Sequence, residues 1–163
     1  IRLSLVGSEM CIRDRKKVTI LYGTETGNSE LLSMDICKVG NKSGLNCVNM
    51  GMDEIDNDEF SIIEYLLIVC STWGDGEQPD NAIELFEFVE SLDECDLQYM
   101  NFSVLALGDT AFDLFCEAGK EWDRILEEKG AKRIHDRVDC DVDYEDDAEE
   151  WIETVISKLM SPL

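Results

Sequence analysis

The run Tyr65-Leu-Leu-Ile-Val-Cys70, in the middle of the chain, is not broken by a single charged or amide residue. A strand that is apolar on both sides of its pleat must be covered on both faces, and six residues are far too few to cross a bilayer. Val18–Tyr22 and Phe102–Leu107 are similar β-rich runs, and Leu45–Met50 and Arg133–Val138 read as weaker strands. Between them the apolar residues fall into helical spacing. Asn28–Val39 carries Leu31, Leu32, Met34, Ile36 and Val39 and is expected to stop at Gly40. Pro79-Asp80-Asn81 opens a second helix with Ala82, Leu85, Phe86 and Val89 on one face. A third, Leu114–Lys129, turns Phe115, Trp122, Ile125 and Leu126 inward and ends at Gly130. The last, Glu145–Met160, buries Trp151, Ile152, Val155, Ile156 and Leu159; its acidic start and Lys158 near its end suit the helix dipole. Strands alternating with helices predict an α/β fold, a doubly wound five-stranded parallel sheet in the order 2-1-3-4-5. The 163 residues make one such domain.

The first fifteen residues share none of this periodicity. Leu5–Arg15 is similar to a translated transposase sequencing adapter, so 1–15 is expected to be an artefactual tail and 16–163 the domain. A secretory leader fits poorly, because Ser, Gly and Glu interrupt its apolar stretch. The charge does not depend on the tail: the chain has 14 basic and 37 acidic residues, net −23, and the tail holds three arginines against Glu9 and Asp14. Such a surface argues against nucleic acid and anionic membranes and for basic protein partners, although plain solubility accounts for charge of this kind too. Outside the tail, Cys37, Cys47, Cys70, Cys95, Cys116 and Cys140 include no CxxC pair. They read as small buried hydrophobes in a reducing, cytoplasmic compartment, with no metal site.

In a doubly wound sheet, function belongs at the carboxyl ends of the strands. Three unusual loops follow the first, third and fourth strands. Gly23-Thr-Glu-Thr-Gly-Asn-Ser29 offers hydroxyls, a glycine and the free amides of a helix start, which suits a phosphate. It is neither a Walker A loop nor a GxGxxG turn and holds no Lys or Arg. By itself it fits an ordinary capped helix start equally well. Ser71-Thr-Trp-Gly-Asp-Gly-Glu-Gln-Pro79 sets two glycines beside an exposed Trp, a flexible backbone against a flat ring that either stacks on a planar ligand or plugs the loop. Leu107-Gly-Asp-Thr-Ala-Phe-Asp-Leu-Phe-Cys116 brings Phe112 to the same edge, with Phe115 turned toward the core. A phosphate cradle flanked by two aromatic loops calls for a ligand with one phosphate and one planar ring.

These motifs resemble the flavodoxin family of FMN domains over Lys17 to about Met160, and Asp136–Tyr144 resembles the matching stretch of the sulfite reductase flavoprotein. The resemblance is to the short-chain type. It implies that Thr24, Glu25, Thr26, Gly27, Asn28 and Ser29 hold the FMN phosphate. It implies that Ser71, Thr72, Trp73, Gly74 and Asp75 line one side of the isoalloxazine ring. Leu107, Gly108, Asp109, Phe112, Phe115 and Cys116 would line the other, with Trp73 and Phe112 sandwiching the ring. The family usually has Tyr where this chain has Phe112, which keeps the stacking and loses the hydroxyl. The carbonyl of Gly74 would turn to accept a hydrogen bond from the reduced ring.

The implied function is a monomeric one-electron carrier, with no catalytic residue of its own. It would run between a ferredoxin/flavodoxin–NADP reductase-like donor and a redox acceptor, which dock on an acidic rim of Asp75, Glu77, Asp80, Asp109 and Asp113. An alternative is the FMN domain of a diflavin reductase. A phosphorylatable receiver domain needs an aspartate at the end of the third strand, where this chain has Cys70-Ser71. His135, the sole histidine, reads as structural.

Overall fold

The computed structural model describes residues 15–24, 27–72, 76–109, 111 and 115–161. The strands are β1 (Lys17–Gly23), β2 (Asn46–Gly51), β3 (Tyr65–Ser71), β4 (Asn101–Leu107), β5 (Lys132–Arg133) and β6 (Val138–Cys140). The helices are α1 (Asn28–Ser43), α2 (Asn57–Ser61), α3 (Ile83–Glu90, entered through a 3-10 turn at Asp80–Ala82), α4 (Glu117–Glu128) and α5 (Glu145–Met160). All strand pairs are parallel and the order is β2-β1-β3-β4-β5, with β6 also against β4. The expected α/β doubly wound order is therefore present.

The apolar strands divide one core into two. Leu66, Ile68 and Cys70 of β3 face a cluster with Phe102, Trp122, Leu85 and Val89. Leu67 and Val69 face the other, with Ile36, Trp151 and Val155. Both tryptophans are fully buried, and the indole N–H of each finds an acceptor, Gln78 Oε1 at 3.0 Å for Trp122 and Ser103 Oγ at 3.1 Å for Trp151.

Four expectations need correction. The fifth strand is broken in two. From Arg133 to Val138 the chain uses five positions while β4 advances three, from Phe102 to Leu105, so Ile134–Arg137 bulges out of the ladder. The bulge is tied on two sides: Ser103 Oγ donates to the His135 carbonyl (3.1 Å), and Arg133 and Arg137 both grip the carboxylate of Asp123 on α4 (2.8 and 2.9 Å). His135 sits in this bulge, its Nδ1 3.1 Å from Lys158 Nζ; burial first, and that ammonium second, lower its pKa from the ordinary value.

The other corrections concern helices. α1 runs through Gly40 to Ser43 and is ended by Gly44, whose φ of 108° is left-handed and whose neighbour Leu45 returns its N–H to the Gly40 carbonyl (3.0 Å). Gly40 is there for closeness, not termination: a Cβ on it would collide with Cys47 Sγ of β2. α1 also buries Ser29, Ser33 and Gly40 beside Leu32 and Ile36, while Leu31, Met34 and Val39 lie exposed. α4 begins at Glu117, so Phe115 and Cys116 precede it, and Phe115 is half-buried rather than in the core. The sequence pattern did not suggest α2, which is capped by Asp56 Oδ1 accepting from the Glu59 N–H at 2.7 Å.

The close approach at Gly40 is testable. Gly40→Ala is expected to destabilise the domain by about 1–3 kcal/mol through overpacking. In a Cys47→Ala background the same change should cost nothing, or stabilise slightly through helix propensity. Urea unfolding of the four proteins gives the coupling.

Candidate functional site

β1, β3 and β4 end side by side, with Gly23 opposite Cys70 and Ser71 opposite Leu107. The loop after each strand therefore starts at one edge, and hydrogen bonds join the three. Ser29 Oγ and Ser71 Oγ are 2.7 Å apart, which links the first loop to the second. The Thr72 N–H donates to the Leu107 carbonyl (3.1 Å) and Thr72 Oγ1 accepts from the Ala118 N–H (3.0 Å), which links the second to the third.

The first loop is shaped by its own hydroxyl. Thr24 Oγ1 accepts from the Gly27 N–H (2.8 Å), and Gly27 adopts a left-handed φ of 94° immediately before α1. Space around Gly27 is open, so glycine is needed here for the backbone angle and not for room. The amides of Asn28, Ser29 and Glu30 open α1, where a helix offers no carbonyl partner of its own. Neutral donors at the positive end of a helix are an arrangement that could hold an anion.

The third loop closes on itself. A Cβ on Gly108 would sit 2.8 Å from the Cys116 nitrogen, so only glycine permits this approach. The Gly108 N–H donates to the Cys140 carbonyl at 2.9 Å, which β6 places there. Cys116 takes a left-handed φ of 55° as it enters α4. Asp109 Oδ1 accepts from the Ala111 N–H (2.8 Å), a local Asx turn. Burial chiefly, with Asp139 next, pushes the Cys116 thiol up to about 12. Burial, then Asp147 and Asp139, does the same to Cys140, and burial lifts Cys70 well above the ordinary thiol range. These thiols are packing groups at neutral pH, not nucleophiles. Burial and the neighbouring Glu117 also raise the carboxyl pKa of Glu121.

Of the residues expected at the site, the structure gathers Thr24, Gly27, Asn28 and Ser29, then Ser71 and Thr72, then Leu107, Gly108, Asp109, Phe115 and Cys116 at this one edge. Glu25, Thr26, Trp73, Gly74, Asp75 and Phe112 lie outside the described residues, as does Asp113 of the acidic rim. Glu77 and Asp80 are exposed and Asp109 is half-buried. Two supporting residues carried no motif signal. Asn81 accepts from the Thr24 N–H (3.0 Å) and donates to the Tyr22 carbonyl (3.1 Å), holding the start of the first loop. Gln78 donates to the Ala118 carbonyl (3.1 Å) while accepting from Trp122. Both are polar residues flanking Pro79, and their partners are far away in sequence.

Among the described residues all six cysteines are free, and no His, Cys, Asp or Glu cluster suits a metal. Cys95 is exposed, contrary to expectation, because it lies in the turns between α3 and β4. No helix among the described residues is long and apolar enough to cross a membrane. Of these six cysteines, alkylation at pH 8 with peptide mapping should modify Cys95 first and leave Cys47, Cys116 and Cys140 at least about a hundredfold slower, since they are buried and almost wholly protonated.

The family model described as Flavodoxin matches residues 20–153. The sulfite reductase [NADPH] flavoprotein alpha-component of Bacillus subtilis (strain 168) is 44% identical over 144 residues, covering 88% of this chain and 24% of that protein. Its counterpart in Shewanella sp. (strain MR-4) is 40% identical over 140 residues, covering 86% and 23%. The chain thus spans about a quarter of the length of these curated relatives. Among solved structures, the Streptococcus pneumonia TIGR4 flavodoxin superposes with a TM-score of 0.78 at 26% identity, covering 88% of this chain and 97% of that one. A cysteine-to-alanine mutant of flavodoxin from Pseudomonas aeruginosa gives 0.77, also at 26% identity, covering 89% and 99%.

Proposed function

The chain belongs to the flavodoxin family, whose cofactor is FMN, and on that premise we propose that it relays single electrons from a reductase to an acceptor protein. The observation that carries this reading is the hydrogen-bonded frame joining the three loops at one sheet edge. The residues present fit the group. A phosphate would take the amides of Asn28 and Ser29 and the hydroxyls of the first loop, which need no cation to hold it. Ser71 and Thr72 would lie beside one side of the ring, and Gly108 and Asp109 beside the other. FMN supplies the one-electron chemistry, and the chain supplies position, exclusion of water and local charge. Thr24 and Asn81 keep the cradle formed before binding. Thr72, tied to both Leu107 and Ala118, holds the second loop against the third. Asp109, Glu77 and Asp80 put negative charge at this edge, which opposes the arrival of an electron and attracts a basic partner face. The working unit is residues 16–163, a reading supported by β1 starting at Lys17. The free cysteines support a reducing, cytoplasmic setting.

A second reading is supported by one comparison: identity is 44% to a sulfite reductase flavoprotein and 26% to the flavodoxins of similar length. In that reading the chain is the FMN module of a longer NADPH-oxidising flavoprotein, and its donor is a flavin domain in the same polypeptide. A reading frame that continues past Leu163 into an FAD- and NADPH-binding domain supports it.

The test is to purify the chain, identify the acid-released cofactor, and follow anaerobic reduction by NADPH with a ferredoxin–NADP reductase. FMN at one per chain, with reduction that slows as salt rises, is expected; FAD or no flavin after reconstitution overturns the reading. Asn81→Ala is expected to weaken FMN binding about tenfold, checked by fluorescence titration, because it frees the Thr24 backbone. Asp109→Asn keeps an acceptor for Ala111 and should raise the reduction potential by tens of mV. At ~59 mV per 1.4 kcal/mol for one electron, that is under about 1 kcal/mol. Potentiometry against reference dyes reads it.

A further inference from the structure

α1 and α5 lie next to each other on one face of the sheet, where Leu32, Ile36, Ala148 and Val155 share a core cluster. Between them runs an open groove. Its α1 wall exposes large apolar side chains beside Asp35, Lys38 and Asn41: Leu31 is 59% exposed, Met34 52% and Val39 38%. Three of the large apolar side chains exposed among the described residues thus belong to this one helix, at positions i, i+3 and i+8, with Asp35 and Lys38 at i+4 and i+7 between them. Ala148 and Ile152 of α5 line the facing side, with Tyr144 at the end. Isolated surface leucines need no explanation, but three large apolar side chains on one helix beside a groove point to a contact surface.

The rim says what fits there. Glu145, Glu149 and Glu153 line the groove from α5 at successive i+4 positions, a ridge of carboxylates about 6 Å apart. Asp35 adds a fourth from α1, against one lining cation, Lys38. Apolar side chains spread over about 12 Å of α1, beside a ridge of carboxylates at helical spacing, fit an amphipathic helix with basic residues at i, i+4 and i+8. We propose that the groove between α1 and α5 is a docking site for a basic amphipathic helix of a partner protein, its apolar face on Leu31, Met34 and Val39 and its cations on the Glu145–Glu149–Glu153 ridge. The site lies on the flank of the domain and does not use the residues of the three-loop edge, so it stands whether or not the electron-relay reading holds.

The probe is a synthetic 18-residue helix with a leucine stripe and lysines at i, i+4 and i+8, titrated into the FMN-loaded chain and followed by amide chemical shifts. Shifts should concentrate at Leu31, Met34, Val39 and Glu149. Met34→Glu and Glu149→Lys should each weaken binding at least tenfold. Both side chains are exposed, so unchanged melting temperatures are expected, and Glu149→Lys decides the matter if Met34→Glu does not fold. Charge reversal at Glu127 and Glu128, on α4 and remote from the groove, should change affinity less than twofold. Equal losses from that pair would mean general attraction to an acidic protein and overturn the proposal. Equal binding of the peptide with Glu for Lys would overturn the role of the ridge. Sedimentation showing a dimer that Met34→Glu disperses would assign the groove to a second copy of the chain and overturn the partner helix.

Discussion

The burial of β3 on both faces is the constraint from which the rest follows. Leu66, Ile68 and Cys70 point into one core and Leu67 and Val69 into the other, so neither face can be left to water. Each face must then be roofed by helices, and a parallel sheet needs a crossover helix between successive strands in any case. The crossovers force every strand to end at the same edge. What makes that edge a site is therefore not the site residues themselves. It is the apolar run that obliges Gly23, Ser71 and Leu107 to finish in register.

Roofing a sheet closely has its own demands, and small residues meet them. A Cβ on Gly40 would strike Cys47, and one on Gly119 of α4 would strike Ala106 of β4. α1 and α4 are thereby drawn onto opposite faces of the sheet. The two helices start at loops that carry candidate ligand groups. Their depth against the sheet fixes where the Asn28 and Ser29 amides and the Ala118 N–H stand, and the last of these sets Thr72. Fold packing and site geometry are one problem at these two glycines.

What was readable in the sequence follows the same logic. Unbroken or periodic apolar runs announced β1, β3, β4, α3 and α5 with little error, because burial alone decides them. The three loops were readable because their residue types are unusual. Features decided by distant partners were not. The break between β5 and β6 depends on Ser103, Trp151 and Asp123, none of which is local to it. Gly40 as a helix stop and Gly40 as a point of contact look alike until β2 is placed. The stripe of α1 is broad enough that Leu31 and Met34 seemed as inward as Ile36. Gln78 and Asn81 matter through pairs of hydrogen bonds to residues tens of positions away. No pattern of residue types signals that.

The same parallel arrangement distributes charge along the helices. In a parallel sheet the helices begin at the carboxyl edge and end at the other. Here Glu30, Glu84, Glu117 and Glu145–Asp147 occupy first turns. Lys42 and Lys158 occupy last turns, Lys129 caps α4, and Lys16 donates to the Leu159 carbonyl at 2.7 Å. Each placement suits its own helix dipole by a few tenths of a kcal/mol to about 1 kcal/mol. Carboxylates therefore crowd the loop edge, although the opposite edge is not free of them: α3 and α4 end in Glu90 and Glu127–Glu128 with no basic residue in the last turn. A phosphate at that edge meets repulsion, and a lysine in the first loop would relieve it at the expense of the edge's negative field. The chain instead offers the α1 amides and neutral hydroxyls. These act at hydrogen-bonding range and fade beyond the first turn, whereas net charge is felt out to the Debye length. An anion can be held close while the edge still presents itself to a partner as acidic.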